Sequence, residues 1–185
     1  MNRISLLCSA WLIASSFAAP AGAEEVRARL TGYQEVPSVS TPASGEFKAR
    51  ISRDDGLIEY ELSYNGLVGT VQQSHIHVAQ RGVNGSIVIW LCQTTTTPAP
   101  AAVAGLTPFC PQSGTVTGQI TAANVIAAST ASQQILAGEL AEVIAAIRAG
   151  VAYANVHATP LNPGGEIRGQ LRASRGEHGQ EHDRK

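Results

Sequence analysis

The residues best suited to chemistry in this 185-residue chain are three histidines that lie in two short apolar segments. His75 and His77 belong to the first segment, 74–79, and His157 belongs to the second, 152–158. Residues two apart on a β-strand leave the same face with their β-carbons about 7 Å apart, so His75 and His77 can reach one metal ion. If the two segments form neighbouring or facing strands, the three imidazoles converge on a site that suits copper or zinc. Three protein ligands would leave a coordination position for water or substrate.

The faces of both segments support this interpretation. Ile76 and Val78 point away from the first two histidines, and the apolar side of a strand normally packs on the core. In the second segment, Tyr153 and Asn155 share the face of His157, opposite three apolar residues. We therefore predict that the histidines look outward or into a cleft. The alternative is an ordinary polar strand face whose histidines hydrogen-bond to backbone, and the sequence leaves both interpretations open.

Glu166 and Arg168 share one face of the last predicted strand, inside a glycine-bracketed segment at 164–169. The favoured interpretation is a surface ion pair worth less than about 1 kcal/mol. The functional alternative is support of the metal site, in which the carboxylate orients an imidazole or the guanidinium draws an anion toward the metal. The sequence contains no identifiable Ser-His-Asp arrangement, nucleotide fingerprint or glycosidase-like carboxylate pair. No catalytic motif is therefore identified from the sequence.

The elements that must position these residues are mostly strands. Polar and apolar residues alternate at 46–51 and 58–64, and Asp54-Asp55-Gly56 between them predicts a tight hairpin. Further strands are expected at 26–33, 74–79, 86–92, 114–120, 152–158 and 166–172. The segment 87–91 is apolar throughout, which predicts a central strand that is covered on both faces.

One region follows helical spacing instead. Leu140, Val143, Ile144 and Ile147 recur as on an amphipathic helix, and Gly150 is well placed to end it. About eight short strands with one helical insertion favour an antiparallel, Greek-key-like β-sandwich.

The N-terminus has the pattern of a secretory signal peptide at 1–23: Arg3, an apolar stretch at 4–18, and small residues that end at Ala23, where cleavage is expected. The apolar stretch is shorter than the roughly 20 residues that a bilayer requires, so we expect no membrane span after signal removal. The remaining chain is long enough for one domain, 24–173, followed by a flexible charged tail, 174–185. These features predict a periplasmic or secreted protein.

Composition narrows the partners of the exported chain. Of the 13 basic residues only Arg3 is lost with the signal, which leaves 12 against 14 acidic residues and a formal charge of −2. Neither nucleic acid nor an anionic membrane is indicated by that balance. Cleavage also removes Cys8 and leaves Cys92 and Cys110, an even pair for which a disulfide is expected in an oxidising compartment. Two buried free thiols are the alternative.

Five segments in order along the chain resemble the CHRD domain family, the module first described in chordin and found widely in secreted bacterial proteins. The matching segments are Leu-Thr-Gly-Tyr-Gln-Glu-Val-Pro at 30–37, Ser-His-Ile-His at 74–77, Gly-Val-Asn-Gly at 82–85, Tyr-Ala-Asn-Val-His at 153–157 and Gly-Glu-Ile-Arg-Gly-Gln-Leu at 165–171. The resemblance implies a secreted or cell-surface module without an established enzymatic activity. In chordin such modules sit in a protein that binds extracellular growth factors, so an extracellular protein partner is implied as well.

A weaker similarity concerns the copper/zinc superoxide dismutases. The order of His75, His77, His157 and Arg168 is similar to that of their copper ligands and active-site arginine. The chain departs from that pattern because it lacks the histidine-rich zinc loop and the bridging histidine, and its loop at 94–108 contains no His or Asp.

The sequence thus carries three hypotheses. The first is an exported binding module with a copper or zinc site, the second is a dismutase-like redox metalloprotein, and the third is a structural or adhesion domain whose histidines only hydrogen-bond.

Overall fold

The computed structural model of the protein describes residues 23–174, and residues 1–22 and 175–185 lie outside it, so the predicted signal peptide and charged tail fall almost wholly on undescribed residues. The described residues form nine strands and two α-helices. The strands are β1 (Glu24–Thr31), β2 (Ser44–Ile51), β3 (Ile58–Asn65), β4 (Thr70–Val78), β5 (Ser86–Cys92), β6 (Gly114–Ile120), β7 (Ala152–Thr159), β8 (Asn162–Gln170) and β9 (Arg172–Ser174), and the helices are α1 (Ala101–Ala104) and α2 (Leu140–Arg148).

The hairpin of β2 and β3 shows how the local sequence determines local structure. The two strands pair antiparallel in unbroken register from Ser44 opposite Asn65 to Ile51 opposite Ile58. Asp55 adopts a positive φ of 55° in the turn, a conformation that Asp and Asn tolerate better than most residues. The predicted hairpin is therefore confirmed, with its apolar positions in the core and its charged positions on the outer face.

All strands belong to one antiparallel sheet, in the order β5-β4-β7-β8-β1-β2-β3-β6, with β9 paired to β1. The sheet curls so far that its two ends approach each other in a nearly closed, barrel-like arrangement. Ile89 of β5 forms an antiparallel bridge to Val125, just beyond β6, and the Tyr60 hydroxyl donates to the Leu91 carbonyl at 2.6 Å. The prediction of a mostly antiparallel β fold is confirmed.

The prediction that β5 is a central strand is wrong, because β5 stands at one end of the strand order. Its middle is still largely buried because the curled sheet brings the β6 end against it. The disulfide between Cys92 and Cys110 joins the end of β5 to the segment that leads into β6. It thereby links the two ends of the sheet covalently.

The core is apolar and is completed by α2. The four residues that predicted this helix, Leu140, Val143, Ile144 and Ile147, are all buried. The chain leaves the helix through Gly150, whose φ of +71° favours glycine. The predicted helical insertion is confirmed. Within the part of the chain that the structure describes, no helix is long and apolar enough to cross a membrane.

Candidate metal centre

The three histidines lie on one face of two neighbouring strands. β4 and β7 pair antiparallel, with His75 opposite Asn155, His77 opposite Tyr153 and Gln73 opposite His157. Cross-strand partners project to the same side of a sheet, so this register carries the three imidazoles to a common point. One nitrogen of each ring lies within 4.8 Å of the others. The two segments are therefore neighbouring strands, and the three side chains converge, as the sequence led us to expect for that arrangement.

Hydrogen bonds to backbone carbonyls fix two of the rings. The Nδ1 atom of His77 lies 2.9 Å from the Gly85 carbonyl oxygen, and the Nδ1 atom of His157 lies 2.9 Å from that of Pro163. A carbonyl only accepts, so both Nδ1 atoms carry the proton and both Nε2 atoms present lone pairs. The Nε2 atom of His157 is 3.2 Å from Nδ1 of His75. Because Nε2 of His157 carries no proton, Nδ1–H of His75 donates to it, and a metal that binds both of these nitrogens would replace that proton, which would move to Nε2 of His75.

The histidines are predicted to look outward or into a cleft, and the outward orientation is wrong because all three rings are buried. His75, His77 and His157 are only 0%, 7% and 6% exposed. The strand parity was right, but Gly85 from the β4–β5 loop and Pro163 from β8 lie against the rings. The polar face of β4 and β7 is therefore a second buried layer.

Burial keeps the three imidazoles in the neutral form that binds metals. It lowers the pKa of His77 to about 4, despite the opposing hydrogen bond to Gly85. It also lowers the pKa of His75, with added repulsion from His157 and His77, and the pKa of His157. Because a metal must otherwise displace a proton, uncharged rings at neutral pH favour binding.

Aromatic side chains enclose the cluster. The Trp90 ring meets His75 edge-on with 4.3 Å between the ring centroids, and Tyr153 stacks parallel on His77 at 4.7 Å. Sequence reasoning placed Tyr153 on the histidine face without a role and missed Trp90. The Asn-Gly pair at 84–85 is typical of a hairpin turn and could have indicated Trp90, since this residue is the cross-strand partner of His75.

Arg168 contacts Tyr153, which in turn stacks on His77, and it holds the loop that covers the cluster. Its guanidinium carbon stands 3.4 Å above the centre of the Tyr153 ring, a cation–π geometry. Its NH groups donate to the Val83 carbonyl at 2.7 Å and to Asn84 Oδ1 at 3.2 Å. The arginine therefore ties the β4–β5 loop to β8. That same loop supplies the Gly85 carbonyl that orients an imidazole.

A buried carboxylate that sequence reasoning left without a role belongs to this region. Glu35 is 6% exposed and packs against the Cα of Gly165. Burial raises its pKa to about 7, although the positive charge of Arg168 acts in the opposite direction. In the sequence it was one acidic residue near an early strand, with no spacing to mark it.

The prediction of a surface ion pair between Glu166 and Arg168 is wrong. The two residues are 0% and 2% exposed, and no salt bridge joins them among residues 23–174. The Glu166 Oε1 atom instead accepts from the Thr41 hydroxyl at 2.6 Å and from the Val68 amide at 2.8 Å. Both side chains do share a face of β8, but that face is covered by neighbouring segments.

Fold and site together define a disulfide-linked antiparallel β module that carries a buried three-histidine cluster. The CHRD domain family model matches residues 26–171, so the chain belongs to the CHRD domain family. The resemblance found in the sequence is thereby confirmed. Comparison with curated proteins gave no match, and comparison with solved structures gave none either.

Proposed function

We propose that this protein is an exported CHRD-type binding module that holds one copper or zinc ion at His75, His77 and His157. The observation that carries the proposal is the set of three buried, neutral imidazoles, each with one ring nitrogen within 4.8 Å of the others. Within the described residues, the buried Nε2 atoms of His75 and His77 have no hydrogen-bond partner. Buried polar atoms are nearly always paired, so an orphan that faces two further nitrogens supports a metal ligand.

The donor set supports copper or zinc among the common metals. Imidazole nitrogen suits both ions, whereas magnesium and calcium require oxygen ligands. Carbonyl oxygens that fix Nδ1–H groups, as at His77 and His157, are a regular accompaniment of histidine ligation. Thiolate ligation is not available from Cys92 and Cys110, because they form the disulfide.

The proposal includes a domain organisation and a location. Residues 1–23 would be removed as a signal peptide, 24–173 would form the domain and 174–185 a flexible tail. The disulfide supports an oxidising compartment, the periplasm or the exterior of the cell. An extracellular protein partner is part of the proposal through the family alone.

Calorimetric titration with Cu(II) and Zn(II) tests the metal site on the chain from Glu24 to Lys185. We expect one ion per chain, and we expect this binding to disappear when His75, His77 and His157 are all changed to Ala. His178 and His182 provide the matched control, because they lie in the tail outside the domain. Their replacement by Ala should leave the affinity unchanged. Equal affinity in the wild type and the triple variant would refute the site.

Trp90 offers an independent readout. It is the one tryptophan left after residue 23, because the other of the two in the chain is Trp11. Its ring contacts His75, so Cu(II) in the cluster should quench its fluorescence. Quenching that persists in the triple variant would place the copper elsewhere.

A further inference from the structure

Asn155 contributes another orphan polar atom to the histidine face. The residue is 2% exposed, and its Oδ1 atom is buried without a hydrogen-bond partner in the part of the chain that is described. An uncharged amide oxygen in this situation should have found a donor during folding, since buried acceptors rarely stay unpaired. A ligand that completes its environment is the natural explanation.

The position of Asn155 places it among the three histidines. It is the direct cross-strand partner of His75, and it stands two residues before His157 on the same face of β7. Its side chain also lies next to the imidazole of His77 and acts to raise the pKa of that ring, as an acceptor facing the protonated form does. The orphan oxygen therefore lies on the same buried face of β4 and β7 as the converging ring nitrogens.

We propose that Oδ1 of Asn155 is the fourth ligand of the metal, so that the site consists of three imidazole nitrogens and one amide oxygen. This inference rests on the proposed function above. An amide oxygen is a hard, neutral ligand, which favours Zn(II) or Cu(II) over Cu(I). Four protein ligands also close the coordination sphere, an arrangement typical of sites that hold a metal rather than use it for catalysis.

Water access to the bound metal tests the assignment. In the Cu(II)-loaded exported protein, we expect water-proton relaxation to show no coordinated exchangeable water. Asn155→Ala removes the oxygen and leaves room for a water, so relaxation should rise to the level of one coordinated water and Kd should increase roughly tenfold or more. Asn155→Asp keeps the oxygen and adds a negative charge, so it should bind Cu(II) more tightly while relaxation stays low.

Asn124→Ala is the matched control. Asn124 is also buried, but it caps a short 3₁₀ turn through Thr121 and is not part of the cluster. This variant should match the wild type in Kd and relaxation. The Asn155 assignment is overturned if the wild type binds copper but Asn155→Ala changes neither quantity, and the three-histidine site then stands. If Asn155→Ala does not fold, unchanged Kd in Asn155→Asp overturns it equally. A wild type that binds no metal overturns both proposals.

Discussion

Acidification should change the free energy of unfolding in opposite directions through two buried groups, Glu35 and His77. The variant Glu35→Gln removes the contribution of Glu35 and leaves that of His77. The pKa of Glu35 is raised from 4.5 to about 7, so ionisation destabilises the fold as the pH rises through this window, and acidification relieves the cost. The pKa of His77 is lowered from 6.5 to about 4. Below pH 6.5 His77 becomes protonated in the unfolded chain but stays neutral in the native state, so acidification destabilises the fold.

The magnitudes follow from these windows. At about 1.4 kcal/mol per pKa unit, lowering the pH from 7 to 5 should relieve about 2 kcal/mol at Glu35 and cost about 2 kcal/mol at His77. Both side chains are almost fully buried, so solvent screening reduces these values little. His75 and His157 act in the same direction as His77 and are the same in both proteins. The difference between the wild type and Glu35→Gln in this pH-dependent change of stability therefore reports on Glu35 alone.

The assay is urea unfolding of the metal-free protein at pH 7 and pH 5 in the presence of a chelator, followed by Trp90 fluorescence. We expect the free energy of unfolding to fall by about 2 kcal/mol more in Glu35→Gln than in the wild type. Glu61→Gln, a change at an exposed position of β3, should behave like the wild type. If Glu35→Gln and the wild type lose the same stability, the buried-carboxylate reasoning is refuted.

Three further predictions concern the scaffold. Replacing Cys92 and Cys110 by Ala should lower the free energy of unfolding by about 3 kcal/mol in urea, since the disulfide closes a loop with a sequence separation of 18; an unchanged value contradicts this. Gly165→Ala should lower the melting temperature, because the φ of Gly165 is +129° and a Cβ there would meet the buried carboxylate of Glu35. Gly164→Ala should leave the melting temperature unchanged, because a Cβ at Gly164 would meet only open space. Arg168→Lys should speed hydrogen exchange in the β4–β5 loop, which the guanidinium holds; unchanged exchange would deny it that role.

The sequence predicted individual strands and the helix better than it predicted which strands pair with each other. Period-two alternation found β2 and β3, and the spacing of Leu140 to Ile147 found α2, because these patterns arise within single segments. The position of β5 at the end of the sheet could not be found in this way. Its apolar run reflects burial by the curled sheet, and the curl depends on the pairing of all the strands.

The candidate site was also predictable only in part. Parity along two strands predicted that His75, His77 and His157 would share a face, and the β4–β7 register brings them together. Which face is covered was not predictable, because Gly85 and Pro163 reach the rings from other segments. Strand alternation distinguishes two faces, but it does not tell which loops fold over them.

The long sequence separation within the cluster has a consequence for the order of folding. His75 and His157 are 82 positions apart, whereas the β2–β3 hairpin closes through a short turn. Closing a long loop costs more chain entropy, so β4 should gain its β7 partner late. We therefore expect a metal ion that is held by all three histidines to enter only after β4 and β7 have paired. Occupancy of the site would then mark a chain that has completed folding.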